Sequence, residues 1–130
     1  MKKILVADVP QMDVRYAVAL AGWESVFART MAEARDALAG TRFDLVAIGV
    51  YFDDSRMFDL VRSVRSDAKH TGVPIVCVRG NSGFTAVRTR TLELTVKALA
   101  ANEFMDLPNF GDDEAGNAAL RETVGRLLKA

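Results

Sequence analysis

The segment FDLVAIGVYFDDSRMFD, residues 43–59, joins an apolar run to an acidic loop through a single glycine. Residues 45–48 are apolar at consecutive positions, which is typical of a strand that is covered on both faces in the middle of a parallel sheet. In open α/β sheets, the loops that leave the carboxyl ends of such strands line the crevice where ligands bind. Gly49 is therefore predicted to lie at a site-forming position, although it has no side chain to contribute.

Apolar runs and segments of helical periodicity alternate along the rest of the chain. The predicted strands cover residues 4–7, 25–28, 43–48, 74–78 and 104–107, and the predicted helices cover residues 10–21, 30–40, 55–66, 85–102 and a closing segment from Asp112 or Asp113. Residues 85–102 contain the partly alternating piece LELTV, so a strand is the alternative there. A helix is favoured because parallel strands need a crossover between them.

This alternation predicts one α/β domain over residues 1–130, a three-layer doubly wound fold with a five-stranded parallel sheet and helices on both faces. The usual strand order for five such units is 2-1-3-4-5, and it places a crevice between the carboxyl ends of strands one and three. Asp8 and Gly49 follow those two strands and are predicted to lie beside the crevice.

Local signals predict where two of the helices begin. Thr30 and Glu33 have the spacing of a capping box at the start of the second helix. Ser55 is placed to cap the third helix, and Asp53 and Asp54 would then lie near the positive end of its dipole. The acidic loop is thus predicted to be the solvated beginning of the third helix.

Two side chains that carry reactive chemistry in other proteins are interpreted here as ordinary. Cys77 is the single cysteine and falls within an apolar run, so we expect a buried small hydrophobe. His70 is the single histidine and lies in the polar connection SDAKHTG, so we expect it to be exposed. With one histidine, the chain has no material for a serine or cysteine catalytic triad, and we predict that it is not an enzyme and needs no cofactor.

The balance of charged residues does not indicate which class of partner the protein binds. Lysine plus arginine and aspartate plus glutamate both number 17, so the formal charge is zero. No basic excess indicates nucleic acid or an anionic membrane. The apolar run after Lys3 is too short for a signal peptide or a membrane-spanning helix, and a cytoplasmic location is expected.

Five pieces of the sequence, taken in their order and spacing, resemble the receiver domain of bacterial two-component response regulators. They are KKILVAD, LAGW, FDLVAIGVYF, VPIVCV and ANEFMDLP, and the resemblance covers essentially the full chain. In that family, an aspartate at the end of the third strand accepts a phosphoryl group and binds magnesium together with two acidic residues after the first strand. A serine or threonine ends the fourth strand, and a lysine before a proline ends the fifth.

The resemblance implies that most of these chemical groups are missing here. The acceptor falls on Gly49, the hydroxyl on Arg79 and the lysine on Leu107, and the acidic pair becomes Asp8 followed by Val9. A carboxylate must be the nucleophile that takes the phosphoryl group, and glycine has none. The chain is therefore interpreted as a pseudo-receiver, a signalling module that works without aspartyl phosphorylation.

A protein partner is the expected ligand of such a module. In receivers the partner surface is formed by the fourth helix, the fifth strand and the fifth helix. Here that face contains the following residues: Arg88, Arg90, Lys97, Phe104 and Asp106. Phe104 is equally explained as a core residue of a short buried strand, and a homodimer is left open.

Three alternatives remain open at this point. The chain could be a small-molecule sensor that uses the space beside Gly49, lined by Tyr51, Phe52 and Arg79. It could be a cryptic magnesium-dependent phosphoacceptor that uses Asp53 or Asp54, with Asp8 and Asp53 as the remaining metal-ligand candidates. The RGNSG segment, residues 79–83, could bind an anion through its backbone amides.

Overall fold

A computed structural model describes residues 1–80 and 86–129, and it contains a five-stranded sheet. All neighbouring strands are parallel, and their order is β2-β1-β3-β4-β5. The predicted fold class and strand order are thereby confirmed. The strands are β1 (Lys3–Ala7), β2 (Glu24–Ala28), β3 (Leu45–Gly49), β4 (Ile75–Arg79) and β5 (Glu103–Asp106).

A helix follows each strand. A 3-10 turn at Pro10–Met12 leads into the first helix, and another at Leu107–Phe110 precedes the last. The segment around LELTV is helical, so the helical alternative is confirmed there. The helices are α1 (Asp13–Ala19), α2 (Met31–Gly40), α3 (Met57–Ser66), α4 (Ala86–Ala98) and α5 (Asp113–Lys129). Among the described residues, no helix is long and apolar enough to cross a membrane.

The sheet separates two apolar clusters, one on each face. One cluster joins alternate strand residues such as Val46 and Ile48 to α2 and α3, and the other joins Leu45 and Ala47 to α1 and α5. Every residue of β3 and β4 is buried, because both faces of these strands are covered. Cys77 lies within the first cluster, and burial raises the pKa of its thiol to about 12, which agrees with the predicted unreactive role.

The capping box of α2 is confirmed, whereas the predicted start of α3 is wrong. The Thr30 hydroxyl accepts a hydrogen bond from the Glu33 amide at 3.1 Å. Ser55 does not cap α3, which begins at Met57. It ends the irregular turn Phe52–Ser55, in which three consecutive residues have positive φ angles of 43°, 56° and 66°. Aspartate tolerates this conformation better than most residues do, which explains why the turn can form here.

The expectation that His70 is exposed is also wrong. His70 is 1% exposed, although its neighbours in the sequence are polar. Its Nε2 accepts a hydrogen bond from the Phe43 amide at 3.0 Å, and its Nδ1 contacts the Asp67 carboxylate. The hydrogen bond to His70 also lowers the pKa of Asp67. The imidazole is therefore a buried connector between the start of β3 and the loop after α3.

Candidate functional site

The carboxylate of Asp8 fills the space above Gly49. The ends of β1 and β3 are adjacent, with Ala7 opposite Ile48 in the register. A Cβ atom added to Gly49 would lie 2.0 Å from Cγ and Oδ1 of Asp8 and 2.1 Å from Oδ2. These separations are far shorter than any non-bonded contact allows. The open space beside Gly49 that the small-molecule sensor alternative requires is thus occupied by a side chain of the neighbouring strand end.

Two hydrogen bonds hold Asp8 in this position. The buried Tyr16 hydroxyl donates to Oδ2 at 2.6 Å, and the Val9 amide donates to Oδ1 at 2.7 Å. Asp8 is only 4% exposed. Burial raises the pKa of Asp8, while the two hydrogen bonds oppose this effect. Burial, together with the adjacent carboxylate, raises the pKa of Tyr16 well above its usual range, so Tyr16 remains a hydrogen-bond donor.

An arginine covers the loop that leaves β1. Nη1 of Arg29 donates to the backbone carbonyl of Asp8 at 3.1 Å, and Nη2 pairs with Asp13 at 2.6 Å. This guanidinium places positive charge next to the acidic residues at the end of β1. Sequence reasoning missed Arg29 and Asp13, and it counted Tyr16 only as an apolar helix residue. The available signal was the hydroxyl of Tyr16, since a buried tyrosine usually has a hydrogen-bond partner.

Asp53 is directed at α2 and not at Asp8. Its Oδ2 accepts a hydrogen bond from the Met31 amide at 2.8 Å and lies 3.8 Å from Nη1 of Arg56. Asp54 is exposed. The loop carboxylate therefore stabilises the N-terminus of α2, whose first amides have no partner within the helix.

The side chains present do not fit a magnesium ion of the kind that receivers bind. Within residues 1–80 and 86–129, no three histidine, cysteine, aspartate or glutamate side chains lie close enough together to hold a metal. Asp8 already accepts two hydrogen bonds, Val9 has no oxygen in its side chain, and Asp53 is bonded to α2. Magnesium requires a near-octahedral shell of oxygen ligands, and these three residues cannot supply it.

We expect Asp53→Ala to lower the free energy of unfolding by about 1 kcal/mol more than Asp54→Ala does, because Asp53, unlike the exposed Asp54, accepts a hydrogen bond from the first amide of α2. Both aspartates have positive φ angles, 43° and 56°, so both variants carry a similar backbone penalty, and the difference reports the bonds that Asp53 makes to Met31 and Arg56. Urea unfolding of the two variants measures it. Equal losses of stability would show that the bond to Met31 contributes nothing.

The ends of β4 and β5 are joined by a buried ion pair. Arg79 and Asp106 are partners in the strand register, and Nη2 of Arg79 lies 2.7 Å from Oδ1 of Asp106. Their side chains are 6% and 10% exposed. The next residue, Leu107, is buried in the core. The sensor alternative requires Arg79 to line an open crevice. Arg79 belongs instead to an internal ion pair.

Met12 closes the neighbouring part of the crevice. A Cβ atom on Gly80 would lie 2.4 Å from the Met12 sulfur, so the thioether packs directly on this backbone. Phe52, the other residue expected to line a ligand space, is completely buried in the core. The anion-binding alternative for RGNSG rests on residues 81–83, which lie outside the described residues.

Comparison with solved structures identifies the fold. No family model and no curated protein matches the chain. A response regulator from Hahella chejuensis superposes with a TM-score of 0.79 at 17% identity, over 100% of this chain and 97% of that chain. The chemotaxis response regulator CheY4 of Vibrio cholerae has a TM-score of 0.75 at 23% identity, over 98% of both chains. The phosphorylated cyanobacterial phytochrome response regulator RcpA has a TM-score of 0.79 at 16% identity, over 98% of this chain and 94% of that chain.

The chain has the receiver fold. At identities this low, the superpositions establish the fold, and any chemical activity has to be argued from the residues of the site. Gly49, which is predicted to match the phosphoryl acceptor of receivers, has no side chain and is covered by Asp8. Arg79, predicted at the position of the hydroxyl, is paired with Asp106, and Leu107, predicted at the position of the lysine, is buried.

The face predicted to bind a partner is only partly available. Arg88, Arg90 and Lys97 are exposed on α4, and the latter two lie 3.4 Å from Glu93. Phe104 is half-buried and packs against the core, as a core residue would. The carboxylate of Asp106 is committed to Arg79. A shallow cavity of about 340 Å³ lies at this face, and its lining includes Thr89, Glu93, Phe104 and Phe110.

Proposed function

We propose that this protein is a pseudo-receiver, a non-enzymatic protein-interaction module of two-component signalling that acts without aspartyl phosphorylation. The observation that carries this proposal is the Asp8 carboxylate lying 2.0 Å from where a Gly49 Cβ would be. An acceptor side chain is therefore absent, and the room that it would need is occupied. The assignment to two-component signalling is supported by the receiver fold, which this chain shares with response regulators.

Asp8 itself is a poor substitute acceptor. A nucleophilic carboxylate needs an exposed oxygen that an incoming phosphoryl group can approach in line. Asp8 is 4% exposed, and both of its oxygens accept hydrogen bonds. Attack would require the loss of the bonds from Tyr16 and Val9 and the opening of the packed crevice.

The ion pair at the ends of β4 and β5 supports the proposal that this module has a single binding-competent conformation. A phosphorylation switch needs groups that change partners when the phosphoryl group arrives. Here Arg79 and Asp106 already form an ion pair in a buried site, with Nη2 of Arg79 lying 2.7 Å from Oδ1 of Asp106. We infer that the partner-binding face formed by α4, β5 and α5 is kept in one conformation and binds its partner constitutively.

Incubation with acetyl phosphate and magnesium, followed by intact-mass measurement, tests this proposal. We expect no acid-labile adduct on this chain, since no exposed carboxylate lies at the acceptor position. RcpA, which has been seen in phosphorylated form, is the positive control under the same conditions. A phosphoryl adduct that maps to Asp8, Asp53 or Asp54 would end the proposal.

The same samples also test whether the chain binds a protein partner and whether that binding is independent of phosphorylation. A protein captured by the immobilised chain should be recovered in equal amount with and without acetyl phosphate. Capture should fall in the double variant Arg88→Glu/Arg90→Glu, which reverses two exposed charges on α4. The matched control is Arg35→Glu/Arg62→Glu, which reverses two exposed charges on α2 and α3. Capture that depends on acetyl phosphate would contradict phosphorylation independence.

A further inference from the structure

A basic groove lies at the end of the sheet opposite Gly49. Lys2 and Trp23 line it just before β1 and β2 begin, and the second half of α5 forms its other side. Its volume is about 700 Å³. We use the name basic groove for the space lined by these residues: Lys2, Trp23, Arg121, Glu122, Gly125, Arg126, Leu128 and Lys129.

The floor of the basic groove is apolar and firmly held. Trp23 and Leu128 are half-buried and pack against the core cluster on the α1 and α5 face. A Cβ atom on Gly125 would lie 3.8 Å from the indole ring, so α5 approaches the tryptophan closely at that residue. Because the core supports them, these side chains are preorganised to receive an apolar group, which lowers the entropic cost of binding.

The rim of the basic groove is cationic although the chain is formally neutral. Lys2, Arg121, Arg126 and Lys129 are four exposed cations around the groove, and Glu122 is the only carboxylate among the described residues that line it. Opposite charges elsewhere on the protein balance this local excess. The rim therefore favours an anionic ligand through short-range attraction.

Arg121 is fixed in place at the rim. Its Nη1 donates to the backbone carbonyls of Ala19 at 3.1 Å and Ala21 at 2.6 Å, just past the end of α1. Its guanidinium carbon lies 4.7 Å from the centre of the Trp23 ring, within the range of a cation–π interaction. A charge that is already immobilised can contact a carboxylate with little further loss of side-chain entropy.

We propose that the basic groove binds an acidic peptide segment of a partner protein, with one apolar or aromatic side chain of that segment seated on Trp23 and Leu128. The inference rests on the proposed function as a protein-interaction module and adds a second binding surface to it. Glutamates interrupt the positive surface: Glu122 lies within the groove, and Glu103 lies 3.3 Å from Arg126 at its margin. A peptide with separated carboxylates fits this pattern better than a uniform polyanion such as a nucleic acid or an anionic bilayer.

Trp23 makes the inference directly measurable, because it is the only tryptophan of the chain. The probe is a short synthetic peptide with glutamates on both sides of a central phenylalanine. We expect it to change Trp23 emission in a saturable manner and to bind less tightly as NaCl rises from about 50 mM to about 500 mM. A second peptide with glutamine in place of every glutamate should bind at least about tenfold more weakly.

Charge-reversal variants test whether the peptide binds in the basic groove. Lys2→Glu/Lys129→Glu should weaken binding of the acidic peptide by at least about tenfold, since two attractive charges become repulsive. The matched control, Arg35→Glu/Lys69→Glu, alters two exposed cations around α2 and should leave binding unchanged. Circular dichroism and thermal unfolding of each variant establish that it remains folded.

Four results would overturn the inference. They are unchanged Trp23 emission with the acidic peptide, equal binding of the glutamine peptide, equal weakening by the control variant, and tighter binding of phosphatidylserine vesicles or single-stranded DNA than of the peptide. These outcomes are independent of the acetyl phosphate experiment. A phosphoryl adduct would refute the proposed function without affecting peptide binding, and a failed peptide titration would leave phosphorylation independence standing.

Discussion

Gly49→Asp is expected to destabilise this protein by about 3 kcal/mol or more, and not to restore a phosphorylation switch. The new Cβ atom would lie 2.0 Å from the Asp8 carboxylate, so one side chain must leave its place. Displacing Asp8 breaks its hydrogen bonds from Tyr16 and Val9, and two buried carboxylates would then compete for one site. Unfolding in guanidinium chloride measures the loss as a lower midpoint.

Two further variants separate the causes. Gly49→Ala introduces the steric conflict without a second charge, and it should still cost about 1–3 kcal/mol because the clash is at Cβ. In Asp8→Ala/Gly49→Asp, the carboxylate is moved from one strand end to the other. This double variant should be more stable than Gly49→Asp alone. If Gly49→Asp unfolds at the wild-type midpoint, or if the second substitution does not help, the packing of Asp8 above Gly49 is not as described.

Breaking the ion pair at the ends of β4 and β5 should have an effect of similar size. Arg79→Met leaves the Asp106 carboxylate buried without its guanidinium, and removing one partner of such a pair costs about 3–5 kcal/mol. The double variant Arg79→Met/Asp106→Leu should recover much of this loss, because replacing both partners by apolar groups leaves no buried charge unpaired. A double-mutant cycle in denaturant gives the coupling energy.

An exposed ion pair provides the control for this cycle. Arg62 and Asp59 lie 3.4 Å apart on α3, and their side chains are 59% and 48% exposed. Arg62→Met should change the free energy of unfolding by at most about 0.5 kcal/mol, because solvent screens a surface pair. An Arg79→Met variant that is no less stable than Arg62→Met would mean that the Arg79–Asp106 pair is not a buried constraint on the strand ends.

The fold could be predicted from the sequence because strong local signals agreed with one another. Continuous apolar runs marked the buried strands, and the need for a crossover correctly outweighed the alternating letters of LELTV in what is now α4. The Thr30 cap of α2 is predictable because the Thr30 hydroxyl and the Glu33 amide lie within four consecutive residues. Signals of this kind depend on near neighbours in the chain.

The contents of the site could not be predicted in the same way. Asp8 and Gly49 were both expected at the crevice, yet the direction of the Asp8 side chain depends on Tyr16 and on the position of β3. Asp53 was assigned to α3 because it precedes that helix, whereas it bonds to the Met31 amide of α2. His70 was judged by its polar neighbours, but its Nε2 reaches the start of β3. In each case the deciding contact joins residues that are distant in sequence.

For this protein, the sequence alone determined the five alternating units and the glycine at residue 49, the predicted acceptor position, because periodicity and residue identity are local properties. Only the tertiary structure decided that Asp8 fills the space above Gly49, that Arg79 pairs with Asp106, and that four cations line one groove with Trp23. The physical reason is that strand register and side-chain direction bring together residues from different strands and helices. These residues are far apart in the sequence, so no local sequence pattern predicts their contacts.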